Sequence, residues 1–318
     1  MSEKIRIVFM GTPEFAVHIL QRILLENFEV VAVVTVPDKP SGRGQKLHSS
    51  AVKNFAVMHN IPVLQPEKLK APEFLKDLAS FSADLFVVVA FRMLPREVWQ
   101  MPRLGTFNLH ASLLPDYRGA APINWAIING EEKTGVTTFF IDDKIDTGDL
   151  IDRMETPVNP DETAGELHDR LAALGSELVV QTLQKIASGS IQTKPQPVGD
   201  SLKVAPKLNF ENTRINWNRP SKEIHNLVRG LNPFPKAWSL LENSDTEMHV
   251  AVLNTCLTGQ NISLKPGQIQ TSKKEIFVGT GDGIIQITAL QLPGKKPLKS
   301  ADLLNGYRFE ANSRFISA

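Results

Sequence analysis

Ile5 to Val36 reads IRIVFMGTPEFAVHILQRILLENFEVVAVVTV, and this stretch decides the fold class. Its ends, Ile5–Phe9 and Val30–Val36, are apolar without polar alternation, the pattern of strands buried on both faces. Between them runs a helical pattern through Ile23 and Leu24, with Thr12 suited to its cap and Pro13 and Glu14 to its first turn. Apolar strands alternating with helices predict an α/β chain with a Rossmann-like, mostly parallel sheet and helices on both faces. A single glycine turn, Gly11-Thr12-Pro13, follows the first strand. G-x-G-x-x-G is absent, so no NAD or FAD site is expected.

The same alternation continues outward. Ala51–His59 reads as a helix, Pro62–Leu64 as a short strand, Glu73–Ala79 as helical and Asp84–Ala90 as a central buried strand. Pro122–Asn129 is a further helix stopped by Gly130, and Val136–Phe140 a further strand. Thr163-Ala164-Gly165-Glu166 is a capping box opening a long helix whose apolar stripe is Leu167, Leu171, Leu174, Leu178 and Ile186. Residues 191–207 are rich in Pro, Gln, Lys and Ser and read as a linker. Residues 1–190 then form one domain and residues 208–318 a second. After a helix at Ile224–Leu231, short strands at close spacing (Ala237–Leu241, His249–Asn254, Gly267–Ile269, Ile276–Gly279, Ile284–Leu290) predict a small β-barrel or sandwich. Phe234 and Trp238 are expected in its core.

With 318 residues, 42% hydrophobic and 22% charged, the composition is that of a globular protein. The net charge of +1 conceals an asymmetry. From Lys207 onward 14 Lys and Arg face 9 Asp and Glu, a balance of +5, against −4 in the first 206 residues. A basic C-terminal part suits a polyanionic partner. Cys256 is the only cysteine, which excludes an internal disulfide framework, and it is expected to be small, buried and reduced. No apolar run approaches the roughly 18–20 residues of a membrane span, and no leader pattern precedes the first strand. The expectation is a cytoplasmic chain that binds no membrane.

Phe107–Pro122, FNLHASLLPDYRGAAP, holds the candidate chemistry. Asn108 and His110 sit two apart on one strand and so on one side of the pleat. With Asp146, in Ile141–Asp149, they fall outside the carboxyl ends of strands, where open parallel sheets bind ligands. An amide N–H can hold a developing oxyanion, an imidazole can move a proton near neutrality, and a carboxylate can orient that imidazole. No Ser–His–Asp elbow and no metal cluster is evident, so the attacking group should come from a substrate. The residue types alone leave alternatives open: N-x-H is a short pattern, and Asp146 could cap a turn. Asp142, Asp143, Asp146 and Asp149 lack EF-hand spacing and its terminal glutamate, so no metal is expected. Pro37–Lys46, punctuated by Pro and Gly, is either a solvated surface loop or a basic finger that orders against phosphates.

Asn108-Leu109-His110-Ala111-Ser112-Leu113-Leu114-Pro115, with Asp146-Thr147-Gly148-Asp149 downstream, resembles the signature of the 10-formyltetrahydrofolate-dependent formyltransferases. Phe9–Pro13, Pro40–Lys46, Tyr117–Pro122, Asn232–Trp238 and Gly279–Ile284 resemble the branch of that family whose acceptor is initiator methionyl-tRNA. The resemblance implies transfer of the formyl group of 10-formyltetrahydrofolate to the methionine α-amine for translation initiation, releasing tetrahydrofolate, without a metal. It implies that Asn108 holds the formyl oxygen, His110 stabilises charge or relays a proton, and Asp146 orients His110. It implies a folate pocket built from Ser112, Leu113, Leu114 and Pro115, the loop bearing Phe91 and Leu94, and Asp142 to Asp146. It further implies tRNA contacts from Arg43 and Lys46 in the basic loop and an OB-like barrel, on which Lys207, Lys295 and Lys296 are candidate contacts. The chain departs from the family's A-Y-G-x-x-L-P at Ala90-Phe91-Arg92-Met93-Leu94-Pro95, one residue shorter and without the glycine. A formyltransferase acting on an amino sugar or purine precursor, a formyl-folate hydrolase, and a non-catalytic RNA-binding protein are the competing readings.

Overall fold

The structure, a computed structural model, describes residues 4–41, 46–197, 199, 202–260 and 262–317, with Ser41 and Lys46 described by backbone alone. Arg43 lies outside the described residues, as does the Lys46 side chain. The chain forms two compact units that are not consecutive in sequence. One takes in Met1–Gly119, Thr134–Pro157 and His168–Val204, the other Ala120–Lys133, Val158–Leu167 and Ala205–Ala318.

The first unit is built on a seven-stranded sheet ordered Leu150–Pro157, Lys133–Phe140, Thr106–His110, Leu85–Val89, Arg6–Gly11, Glu29–Val34, Val63–Leu64. The last five strands pair in parallel, while Lys133–Phe140 runs antiparallel to Thr106–His110. The mostly parallel sheet expected from the apolar runs is therefore present. Register assigns the faces. Val8 pairs with Phe86, and Val88 with Asn108, so the even-numbered residues of these strands share one face. Phe74 and Leu78 of the helix Pro72–Ser80 cover that face together with Met10, Phe86 and Val88. On the other face the long helix Ala164–Ala187 approaches so closely at Gly175 that a Cβ there would lie 2.7 Å from Leu109 Cδ2. Helices thus cover both faces.

The glycine after the first strand serves packing. A Cβ on Gly11 would lie 2.7 Å from that of Ala16 and 3.0 Å from Val89 O, so only glycine lets the following helix approach the strand. That helix, Glu14–Leu25, starts from Pro13 without a side-chain cap. The Thr12 cap is corrected accordingly: Pro13 occupies the capping position and fixes the extended backbone there. The capping box holds, with the Thr163 N–H and hydroxyl donating to Glu166 Oε2 at 2.9 and 2.8 Å and Glu166 N–H returning to Thr163 Oγ1. Pro37–Lys46 is not wholly loop. Lys39–Ser41 and Lys46–His48 form an antiparallel hairpin, footed by Asp38, which accepts from Lys53 Nζ at 2.5 Å and Gln65 Nε2 at 2.8 Å. These bonds, Lys53 first, hold the Asp38 carboxyl below its ordinary pKa. Leu150–Pro157 is an edge strand with charged Asp152, Arg153 and Glu155 along it. Such charges blunt an edge and also hide the strand from an apolar-run reading.

The second unit contains an antiparallel sheet ordered Ile269–Thr271, Ile276–Gly279, Ile284–Gln291, Thr246–Leu257, Ala237–Asn243, Arg314–Ile316. Its two ends meet where Phe315 N–H donates to Gly267 O at 2.8 Å and Gln268 bridges Arg314. A near-closed barrel results. Its core holds Trp217, fully buried, with Nε1 donating to Ser239 Oγ at 2.9 Å and its ring stacked on Phe315 at 5.1 Å. Three expectations fail here, the first being Trp238, which is half-buried outside the core with its ring stacked on Phe210 at 4.0 Å. Phe234 is 79% exposed rather than core, sitting in the Pro-flanked turn outside the strands. Cys256 is exposed because register shifts between Val252 and Thr255 reverse the pleat's alternation, turning Thr255 inward and Cys256 out.

Candidate active site

Asn108 and His110 lie at the carboxyl end of the Thr106–His110 strand, beside Leu85–Val89. The strand order reverses between Arg6–Gly11 and Leu85–Val89, next to them, which is where doubly wound sheets open a crevice. His110 is 6% exposed. Its Nε2 lies 2.8 Å from Tyr117 O, and a carbonyl can only accept, so this nitrogen carries the hydrogen. Nδ1 is left with the lone pair, and it faces Asp146 Oδ2 at 3.8 Å. That gap is too long for a direct hydrogen bond. The carboxylate itself accepts from Gly119 N–H at 3.0 Å. The Tyr117 carbonyl holds the ring at Nε2, and Asp146 faces its other nitrogen without a direct hydrogen bond. Asn108 Oδ1 is buried and has no hydrogen-bond partner among the described residues.

The Ser112–Pro115 turn is held from the neighbouring strand. Thr137 Oγ1 donates to Ser112 O at 2.6 Å and accepts from Leu114 N–H at 3.2 Å. Ser112 and Leu114 are fully buried, and Ser112 Oγ donates to Asp116 O at 2.7 Å. Their side chains therefore build the turn, whereas those of Leu113 and Pro115 are partly exposed. Asp142 is also committed locally, its carboxylate accepting from Thr147 Oγ1 at 2.7 Å and Lys144 N–H at 3.0 Å. Gly148 closes this loop: a Cβ there would lie 1.7 Å from Phe140 O, so Asp-Thr-Gly admits no larger residue at its third position.

The shortened loop after Leu85–Val89 is secured without its glycine. Ala90 takes a positive φ of 47°. Arg92 donates to Pro66 O and, at 3.0 Å, to Glu67 O, with its guanidinium 5.6 Å over the Phe91 ring. Leu94 is core, in a cluster with Phe86, Val88 and Val98, while Phe91 and Ile141 pack against the edge of that cluster. Of the residues anticipated for this loop, Phe91 alone presents a partly exposed ring. Lys207, Lys295 and Lys296 are exposed on the second unit. The reading of residue types missed the roles of Tyr117, Thr137 and Gln196, the first acting through its carbonyl and the others through side chains that bond the main chain. Among the described residues no group of three or more His, Cys, Asp or Glu is placed to hold a metal. No helix there is long and apolar enough to cross a membrane.

Residues 4–183 match the family model "Formyl transferase", and residues 207–308 match "Formyl transferase, C-terminal domain". The chain is 53% identical over 312 residues to the methionyl-tRNA formyltransferase of Flavobacterium johnsoniae, covering 98% of this chain and 99% of that one. It is 49% identical over 311 residues to the methionyl-tRNA formyltransferase of Bacteroides fragilis, covering 96% of each. Among solved structures, a sugar 3N-formyl transferase crystallised with dTDP and 5-N-formyl-THF shares the fold at a TM-score of 0.66 and 23% identity, covering 93% of this chain and all of that one. HypX from Aquifex aeolicus with tetrahydrofolic acid aligns at a TM-score of 0.65 and 20% identity, covering 95% of this chain and 47% of its own.

Proposed function

Since this chain belongs to the formyl transferase family and, within it, to the methionyl-tRNA formyltransferases, we propose that it transfers the formyl group of 10-formyltetrahydrofolate to the α-amine of initiator methionyl-tRNA. The observation that carries the site assignment is the state of His110. Its Nε2 hydrogen is held by Tyr117 O and its Nδ1 faces Asp146, which makes Nδ1 the atom able to take a proton. The amine attacks the formyl carbon, and the carbonyl oxygen becomes anionic. Asn108, whose carboxamide oxygen has no partner among the described residues, turns its N–H to that oxyanion. His110 Nδ1 accepts the proton that the attacking amine loses as the new C–N bond forms, and returns it to N10 of the folate as the bond from N10 to the formyl carbon breaks. Asp146 stabilises the imidazolium in between. The products are N-formylmethionyl-tRNA and tetrahydrofolate.

Phe91, Leu113 and Pro115 form the folate-facing surface in this proposal. Leu94, Ser112, Leu114 and Asp142 fix the shape of the loops beneath it. Residues 1–190 supply the chemistry, residues 208–318 the tRNA-binding surface, and residues 191–207 join them. Arg43, Lys46, Lys207, Lys295 and Lys296 meet tRNA phosphates, giving an affinity that falls with salt. The setting is the cytoplasm, where initiator tRNA is charged. The test is formyl transfer from 10-formyltetrahydrofolate to charged initiator tRNA, beside free methionine and uncharged tRNA. Transfer confined to the charged tRNA is expected. Equal rates on free methionine would overturn the acceptor assignment.

A further inference from the structure

Pro195-Gln196-Pro197 lies in the stretch whose composition reads as a linker, yet Gln196 is only 8% exposed. Its Nε2 donates to Asp146 O at 3.0 Å and to Gly148 O at 2.8 Å. Its Oε1 accepts from Arg118 Nε at 3.2 Å and Nη2 at 2.6 Å. Both donors and both acceptor positions of the carboxamide are therefore filled. The two flanking prolines fix φ and lack N–H groups, so the segment brings a restricted backbone and a side chain, rather than main-chain donors, to the site. Two residues earlier the segment is pinned by an antiparallel bridge, with Leu150 N–H donating to Lys194 O at 2.8 Å and the return bond at 2.9 Å.

The partners of Gln196 have a further property in common. Arg118 lies between Tyr117, whose carbonyl holds His110 Nε2, and Gly119, whose N–H holds the Asp146 carboxylate. Asp146 itself has a positive φ of 54°, a conformation that a non-glycine residue keeps only when its surroundings over-determine it. Gln196 closes the circuit that joins the two turns. We propose that Gln196 is a positioning residue for formyl transfer, fixing the Asp146–Gly148 turn and thereby the 3.8 Å approach of Asp146 to His110. This inference rests on the role assigned to Asp146 above. Glutamate has the right length but offers two carbonyls no donor, and alanine leaves them and Arg118 without the shared partner.

The experiment is steady-state formyl transfer by the full chain carrying Gln196→Ala, Gln196→Glu, Asp146→Asn, or Gln196→Ala with Asp146→Asn. A small displacement of catalytic groups costs rate rather than binding, so kcat should fall roughly 10- to 100-fold in both single Gln196 variants, with KM for charged tRNA within about twofold. The double variant should be no slower than Asp146→Asn alone, since the clip acts through that residue. Thermal melts report folding. If Gln196→Ala does not fold, the isosteric Gln196→Glu is read in its place, singly and with Asp146→Asn. A wild-type kcat in both Gln196 variants, or losses that multiply in the double variant, would overturn the clip. No formyl transfer by the unaltered chain would instead overturn the function proposed for it.

Discussion

Two imidazoles, one in each unit, are equally buried at 6% exposure. His110 holds a backbone carbonyl with Nε2 and turns Nδ1 toward a carboxylate at a distance that leaves the atom free to bond something else. His225, on the helix Ser221–Gly230, meets Thr255 Oγ1 at 3.0 Å with Nδ1 and has the Arg229 guanidinium close by. Burial, and then the charge of Arg229, lower its pKa from the ordinary 6.5. Asp161 Oδ1 lies 3.3 Å from His225 Nε2 and pulls the other way, but its side chain is 92% exposed, so water screens it. Arg229 in turn donates to Asn226 Oδ1 and to the carbonyls of Asn159 and Glu162, at 2.9, 3.2 and 3.0 Å. The pair shows that burial of a histidine does not mark function. What separates them is the neighbouring charge and whether a strand end or a helix face presents the ring.

The comparison can be sharpened or broken by measurement. Asn108→Ala, at the strand end beside His110, should lower kcat by roughly a hundredfold to a thousandfold with an unchanged melting curve, the usual effect of losing one oxyanion donor. Activity within a factor of a few of wild type would remove Asn108 from the mechanism. His110→Ala should lose about a hundredfold in kcat, whereas His225→Ala should keep kcat within about twofold and reveal itself in thermal stability. A comparable loss of kcat in both would erase the distinction. Next in size is a pH effect. Because the folded pKa of His225 is lowered, the unfolded chain binds the extra proton first. Its contribution is intact above about pH 6.5 and is lost as pH falls from there toward the folded value, at no more than about 1.4 kcal/mol per pH unit. Unfolding followed by denaturant from pH 7.5 to 5 should show this slope, and His225→Ala should flatten it. The smallest expected effect is Thr255→Val, about 1 kcal/mol of stability for the hydroxyl facing Nδ1, with no change in kcat.

The amino-acid sequence by itself determined the α/β class, a second unit of short strands that could be barrel or sandwich, and the strand end on which Asn108 and His110 sit. Each depends on short-range periodicity, which a chain displays whether folded or not. The D-T-G loop was legible only through the family resemblance, and the need for glycine at 148 comes from Phe140 O, a contact seen only in the fold. Tertiary structure decided what composition conceals. The charged edge strand Leu150–Pro157 and the paired strands Lys39–Ser41 and Lys46–His48 lack an apolar signature. A bulge of the Thr246–Leu257 strand reversed the facing of Cys256. The side chains of Ser112, Leu114 and Leu94, residues assigned to the folate pocket, are interior. At the strand end where the candidate chemistry lies, the sequence named the amide, the imidazole and the carboxylate. Only the fold supplied their geometry, through Tyr117 O, Gly119 N–H and Gln196. Those contacts run through backbone atoms and a proline-flanked glutamine, and hydrogen bonds to the main chain leave no pattern in the order of side chains.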